Sequence, residues 1–143
     1  MRFALSLSLI ALSSAPALAQ SEAQEALDHA ASLYREERFA EAAEAFERAA
    51  ALDPGSLELW TSMGWAYRKA GEPQKAREVW TRVLKVDPER ASLWNQVAAI
   101  DIDREEWDAA AESLRRSVSL EPDESHVRSR LAMTLESAGR VEE

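Results

Sequence analysis

Residues 57–88 read LELWTSMGWAYRKAGEPQKAREVWTRVLKVDP, and this stretch holds one complete helix-turn-helix unit. Trp60, Met63, Gly64 and Tyr67 recur at three- and four-residue steps, so they share one helix face, and that face is expected to be buried. Lys69-Ala70-Gly71-Glu72-Pro73 then ends one helix and begins the next, with Gly at the stop and Pro in the first helical turn. Gly64 and Ala76 are small where two helices of a hairpin must approach closely, while Tyr67 and Trp80 fill the space on either side. Such a hairpin keeps apolar residues on its outer faces, which it buries only against a neighbouring hairpin.

The flanking sequence repeats this unit. Leu52-Asp53-Pro54, Val86-Asp87-Pro88 and Leu120-Glu121-Pro122 close successive copies, and their prolines stand 34 residues apart. A fixed period of that size marks a stacked array. With the period laid out, the central unit resembles the tetratricopeptide repeat (TPR) family at Trp60, Met63, Gly64, Tyr67, Gly71, Ala76, Trp80 and Pro88. The upstream unit offers Ala26, His29, Ala30, Leu33, Phe39, Ala42, Phe46, Ala49 and Pro54 at the same places. The downstream unit offers Trp94, Val97, Ala98, Trp107, Ala110, Leu114 and Pro122, but carries Asp101 where the family usually places an aromatic. A fourth copy begins with Leu131, Ala132, Leu135 and Gly139, and its second helix is not completed by Glu143.

The resemblance implies an all-α fold, an α-solenoid of three full repeats (about 23–56, 57–90 and 91–124) plus a C-terminal half repeat (125–143). Helices are expected near 22–36, 39–52, 56–70, 73–86, 90–104, 107–120 and 124–138, with Ser56 as an N-cap. Asp53-Pro54-Gly55-Ser56 and Asp87-Pro88-Glu89-Arg90 are the inter-repeat turns, because proline cannot continue the preceding helix.

Met1 to Ala19, MRFALSLSLIALSSAPALA, has an early Arg, an apolar run and small residues ending Ala17-Leu18-Ala19. This pattern predicts a secretory signal peptide over 1–19, cut after Ala19, and a domain over 20–143. The run is short of the roughly 20 apolar residues that span a bilayer, so no stable membrane insertion is expected after cleavage. There is no cysteine, so export to an oxidising compartment adds no disulfide staple and helix packing alone must hold the fold. A bacterial periplasm is the expected location.

The chain carries a formal charge of −9. Phosphate binding needs a concentrated basic surface, so nucleic acid is not an expected partner. Charges are interleaved, as in Arg35-Glu36-Glu37-Arg38, which reads as solvated turns and helix faces.

Chemistry-bearing constellations are sparse. His29 and His126 are the only histidines and lie in different repeats, and His29 occupies a packing position where a partly buried imidazole is expected. Asp101, Asp103, Glu105 and Glu112 fall at the first, third, fifth and twelfth places of a calcium-loop pattern, yet Glu106 stands where that loop needs Gly. The same residues lie in the hairpin register, and a twelve-residue calcium loop cannot coexist with that hairpin. No Gly-x-Ser-x-Gly elbow or glycine-rich phosphate loop occurs. The expectation is therefore a non-enzymatic protein that uses no cofactor and no metal.

What remains is a surface. The family commonly binds peptides or partner helices in the concave groove lined by the first helix of each hairpin. Carried over position by position, the resemblance implies groove residues Tyr34, Arg35, Thr61, Trp65, Arg68, Lys69, Asn95, Gln96, Ala99, Ile102, Arg130 and Met133. Trp65 departs from the packing face of Trp60, Met63 and Tyr67, which leaves a large apolar side chain either facing the groove or packed on a neighbouring helix. Some family members clamp a partner's terminal carboxylate; Leu27, Ala31, Thr61 and Trp65 stand at the first clamp positions here and do not support that clamp. Arg68, Lys69 and Arg130 form a basic spot suited to an acidic peptide or an anionic polymer, unless they are simply solvated. The implied function is a periplasmic scaffold for protein–protein interactions in a cell-envelope complex, with a protein or peptide partner and a homodimer through the C-terminal half repeat as a further option. The alternative is the N-terminal repeat region of a larger envelope protein, a polysaccharide export or modification factor, whose catalytic or channel part lies beyond residue 143.

Overall fold

The computed structural model describes residues 15–139, and these are all helix and turn. Among the described residues there are seven helices, α1 (Ala15–Arg35), α2 (Phe39–Leu52), α3 (Leu57–Lys69), α4 (Pro73–Val86), α5 (Ala91–Asp103), α6 (Trp107–Leu120) and α7 (Ser125–Ser137). Packing divides the chain into two units, one ending at Ala70 and the other beginning at Gly71. In the first unit α2 packs on α1 and α3; in the second, α5 packs on α4 and α6, and α6 packs on α7.

Six helices lie within a residue or two of their expected bounds. The exception is α1, which is already helical at Ala15, the first described residue and upstream of the expected start, in keeping with the high helix propensity of alanine-rich LAQSEAQEALDHAA. Most of the expected signal segment, residues 1–14, lies outside the described residues. Residues 140–143, the expected opening of a further helix, lie outside them as well.

The boundaries are written locally. Ser56 caps α3 by accepting a hydrogen bond from the Leu59 N–H at 3.4 Å, and Pro73 opens α4 at the position where a missing N–H costs nothing. The inter-repeat prolines gain a second function through the tryptophans that follow them. Trp60 donates its indole N–H to the Pro54 carbonyl at 3.0 Å, and Trp94 repeats that bond to Pro88 at 2.8 Å. Each turn is thus tied, through its proline carbonyl, to the first helix of the following repeat.

The turns within hairpins place one residue in the left-handed region, and the repeat period shows which residue: Glu37 (φ 61°), Gly71 (φ 81°), Glu105 (φ 60°) and Gly139 (φ 73°). Around Glu37 and Glu105 the chain closes with long-reach bonds, Arg38 N–H to Leu33 carbonyl at 3.0 Å and Glu106 N–H to Asp101 carbonyl at 2.8 Å, which satisfy carbonyls the helix end leaves free.

The first unit's core is alanine-rich, built from Ala30, Leu33, Ala42, Ala45, Phe46, Ala49, Met63 and Tyr67. Small residues allow α1, α2 and α3 to approach closely, and Tyr67 reaches the surface of that core to donate its hydroxyl hydrogen to the Glu47 carboxylate. In the second unit Ala98, Leu114 and Val127 form a cluster joined by partly buried Ile102, Val118 and Leu131. Trp80, fully buried, is the largest side chain without solvent contact.

Two expectations are corrected here. His29 is exposed: its register equivalents Met63 and Val97 sit on helices that pack against the preceding α2 and α4, and no described helix precedes α1 to cover it. Ala132 is exposed as well, although its equivalents Ala30 and Ala98 are fully buried. On α7 the outward positions Arg128, Ser129, Ala132 and Glu136 are all exposed, while Val127, Thr134 and Leu135 face the core. The side of α7 turned away from this core is therefore mostly polar among the described residues.

Candidate functional site

The groove positions of the first unit lie on α1 and α3. Tyr34 is half-buried and meets Phe39 edge to face, with centroids 5.2 Å apart. Arg35 is exposed and returns its Nε–H to the Ala31 carbonyl at 3.2 Å, a common way for a basic residue to satisfy the end of its own helix. Thr61 likewise donates its hydroxyl to the Leu57 carbonyl at 2.7 Å. Trp65 is half-buried, and the Arg68 guanidinium lies 6.0 Å from its ring centroid, near the limit of a cation–π contact. Arg68 and Lys69 are exposed in the last turn of α3, where positive charge also complements the helix dipole.

Those of the second unit lie on α5 and α7. Asn95 and Arg130 are half-buried and bonded, the guanidinium donating to the Asn95 side-chain oxygen at 2.8 Å. Gln96 is half-buried, and its Oε1 is shielded from solvent without a hydrogen-bond partner. Ala99 is half-buried, and Met133 stands 68% exposed. Ile102 is engaged elsewhere, packed on the Ala98, Leu114 and Val127 cluster. The structure therefore brings together Trp65 with Arg68 in one unit and Asn95 with Arg130 in the other.

The acidic stretch around Asp101 has a role that sequence reading missed. Asp101 is fully buried and is held by both arms of Arg77, from Nε and from Nη2, the latter at 3.3 Å. The hydrogen bond to Asp101 raises the Arg77 pKa above its ordinary value. A carboxylate engaged in this way is not offered to a cation, and among the described residues no cluster of three or more His, Cys, Asp or Glu is placed to hold a metal. His126 is exposed beside Glu124, with Nδ1 3.0 Å from the carboxylate.

A crevice of about 420 Å³ opens in the first unit, lined by Gln20, Ala23, Gln24 and Leu27 of α1 together with Leu52, Asp53, Ser56 and Leu59. Among the described residues no helix is long and apolar enough to cross a membrane.

Residues 33–100 match the profile of the tetratricopeptide repeat. Residues 33–100 are therefore a tetratricopeptide-repeat segment. Among curated proteins it is 26% identical over 107 residues to human protein O-mannosyl-transferase TMTC3, an alignment covering 74% of this chain and 12% of that protein. The chain thus spans about an eighth of the length of this relative. Among solved structures, MamA superposes with a TM-score of 0.74 at 18% identity, covering 84% of this chain and 66% of that one. The first TPR of Spaghetti (RPAP3), bound to the HSP90 peptide SRMEEVD, gives 0.71 at 14% identity over 83% of this chain and 94% of that one. At these identities the likeness establishes the tetratricopeptide fold.

Proposed function

We propose that the protein is a non-enzymatic docking scaffold that binds an acidic peptide segment of a partner protein. The observation that carries this reading is the Asn95–Arg130 pair, which holds a guanidinium half-buried on the groove positions of α5 and α7. A guanidinium has five N–H donors; the bond to Asn95 uses one through Nη1, and a partner carboxylate suits the rest. In the first unit Trp65, Arg68 and Lys69 offer an aromatic face with positive charge around it. The acidic peptide SRMEEVD on the RPAP3 repeats supports this class of partner.

The setting we propose is the periplasmic face of a cell-envelope complex, reached through the signal-like segment 1–19. A second reading, a repeat region within a longer envelope protein, is favoured by one observation: the curated relative contains its matching segment within a far longer chain. Intact mass of the native gene product from an envelope extract separates the two. A mass equal to residues 20–143 supports a free processed scaffold, and a much larger mass supports the second reading.

The docking test uses photo-cross-linking groups placed one at a time at positions 99 and 133, on α5 and α7 of the second unit. The partner captured from both should be the same protein, and its capture should fall about tenfold in Arg130→Ala with helical content retained. Equal capture by Arg130→Ala would remove the guanidinium from the site, and an unchanged Trp65→Ala would do the same for the aromatic.

A further inference from the structure

The repeats supply their own control for the buried Arg77–Asp101 pair. These two residues are 24 positions apart, on α4 and α5. The same two register positions are Ala43 and Tyr67 on α2 and α3, and Ala111 and Leu135 on α6 and α7. All four are buried, at 1%, 4%, 1% and 8% exposure. Two of the three junctions between successive hairpins therefore combine a small residue with a large apolar or aromatic one. The α4–α5 junction alone replaces both at once, with a cation and an anion that satisfy each other.

Such a replacement is weak evidence for added stability. Removing two charges from water is expensive, and well-packed apolar residues of similar volume often serve as well or better. An ion pair does, however, exclude wrong neighbours: a helix that offers Ala to Asp101 leaves a fully buried charge unpaired, while one that offers Tyr or Leu to the half-buried Arg77 strands a guanidinium that keeps only partial access to water. Repeat chains are prone to that error, because every hairpin presents a similar face and a hairpin from a second copy can stack in place of the proper one.

We propose that Arg77 and Asp101 form a stacking code, a charge pair that makes the α4–α5 junction accept only a helix carrying the arginine in this register and so prevents α2 or α6 of another copy from stacking on α5 in place of α4. Arg77 contributes the geometric half of that selectivity. Its fork reaches both carboxylate oxygens, Oδ1 and Oδ2, so a partner must match in direction as well as charge. Asp101 contributes the penalty: fully buried, it has no access to water when α4 is replaced by a helix without the arginine.

The test compares wild type with Arg77→Ala, Asp101→Tyr and the double variant that combines them, which reproduces the α2–α3 residues at this junction. The chain has no cysteine, so Ser92→Cys, at an exposed position on α5, gives one labelling site in each protein. Donor- and acceptor-labelled copies are mixed in denaturant, refolded together and read for intermolecular energy transfer. Arg77→Ala, which strands the fully buried Asp101, should lower the folded-to-unfolded ratio by about a hundredfold or more, and Asp101→Tyr, which leaves a partly exposed guanidinium, should lower it by less. The double variant should recover helical content and melt near or above wild type. It should nevertheless show energy transfer at least about threefold above wild type, because its junction no longer distinguishes α4 from the α2 or α6 of another copy. Transfer equal to or below wild type would overturn the proposal. Failure of the double variant to fold would overturn it as well, since the pair would then be a source of stability and not of choice.

Discussion

Glu105 and Glu37 occupy the backbone conformation that Gly71 and Gly139 occupy in the alternate turns. For an L residue the left-handed region costs roughly 1–2 kcal/mol, whereas glycine reaches it freely but loses about 0.5–1 kcal/mol of chain entropy on ordering. The first effect exceeds the second at both sites. Glu105→Gly should therefore stabilise the fold by roughly 0.5–1 kcal/mol, seen as a higher urea midpoint with an unchanged slope. A lower midpoint would mean that Glu105 makes up the strain through charge. That turn is an acidic one, with Glu106 held by Arg104 at 2.8 Å. Substitution at Glu37 carries a different risk. Its neighbours Glu36 and Arg38 are paired at 3.2 Å, and a freer backbone between them weakens that contact.

At the scale of the helix, α7 is the element whose sequence and structure diverge most usefully. Its apolar spacing reads as a face waiting for a partner, with Leu131 and Leu135 prominent. The structure turns those positions inward: Leu135 is 8% exposed, and Leu131 packs on the cluster of Ala98, Leu114 and Val127. Leu131→Glu should therefore destabilise the second unit, by about 2–4 kcal/mol for the lost apolar contact and the half-buried charge. Thermal unfolding should show the loss at any protein concentration. A protein that keeps its melting temperature but loses self-association would restore Leu131 to a surface. The helix boundaries themselves were legible, because Pro54, Pro88, Pro122 and Ser56 act within one turn of their own position. Burial was less so. His29 stands at a packing register on a helix with no described predecessor, and Asp101 looked anomalous because its arginine lies in another repeat. The signal for that pair was present, since Arg77 stands where Ala43 and Ala111 stand, but it is visible only when the repeats are compared with one another. The proposed docking positions rest on register alone, and the structure gives several of them other partners: Thr61 and Arg35 engage carbonyls of their own helices, and Ile102 belongs to the core.

Across the whole molecule, charge decides how the fold meets acid. At neutral pH the chain carries −9; once its carboxylates are protonated, 17 Lys and Arg and two His remain, and their mutual repulsion favours expansion. Three carboxylates add a specific term. Glu36 is held below its ordinary value of 4.5 by hydrogen bonds from Ser32 and Arg38, and Glu41 is held below 4.5 by a hydrogen bond from Arg38. Asp87 lies below its ordinary 3.8 because Arg90 donates to it at 2.7 Å. A folded pKa below the unfolded one contributes stability that is complete above the unfolded value and disappears as pH falls through the folded one. The loss should therefore begin near pH 4.5 and continue below 3.8. Arg38 serves two of the three groups, so Arg38→Gln should remove the Glu41 contribution and part of that of Glu36, whose bond from Ser32 remains. Its stability should differ from wild type most at pH 6 and converge with it in acid, as urea midpoints measured across that range would show. All these groups are exposed, so salt screens the difference, and at 1 M salt the two pH profiles should nearly coincide. A gap between wild type and Arg38→Gln that persists unchanged into acid would place the contribution of Arg38 in its packing at the α1–α2 turn and not in its charge.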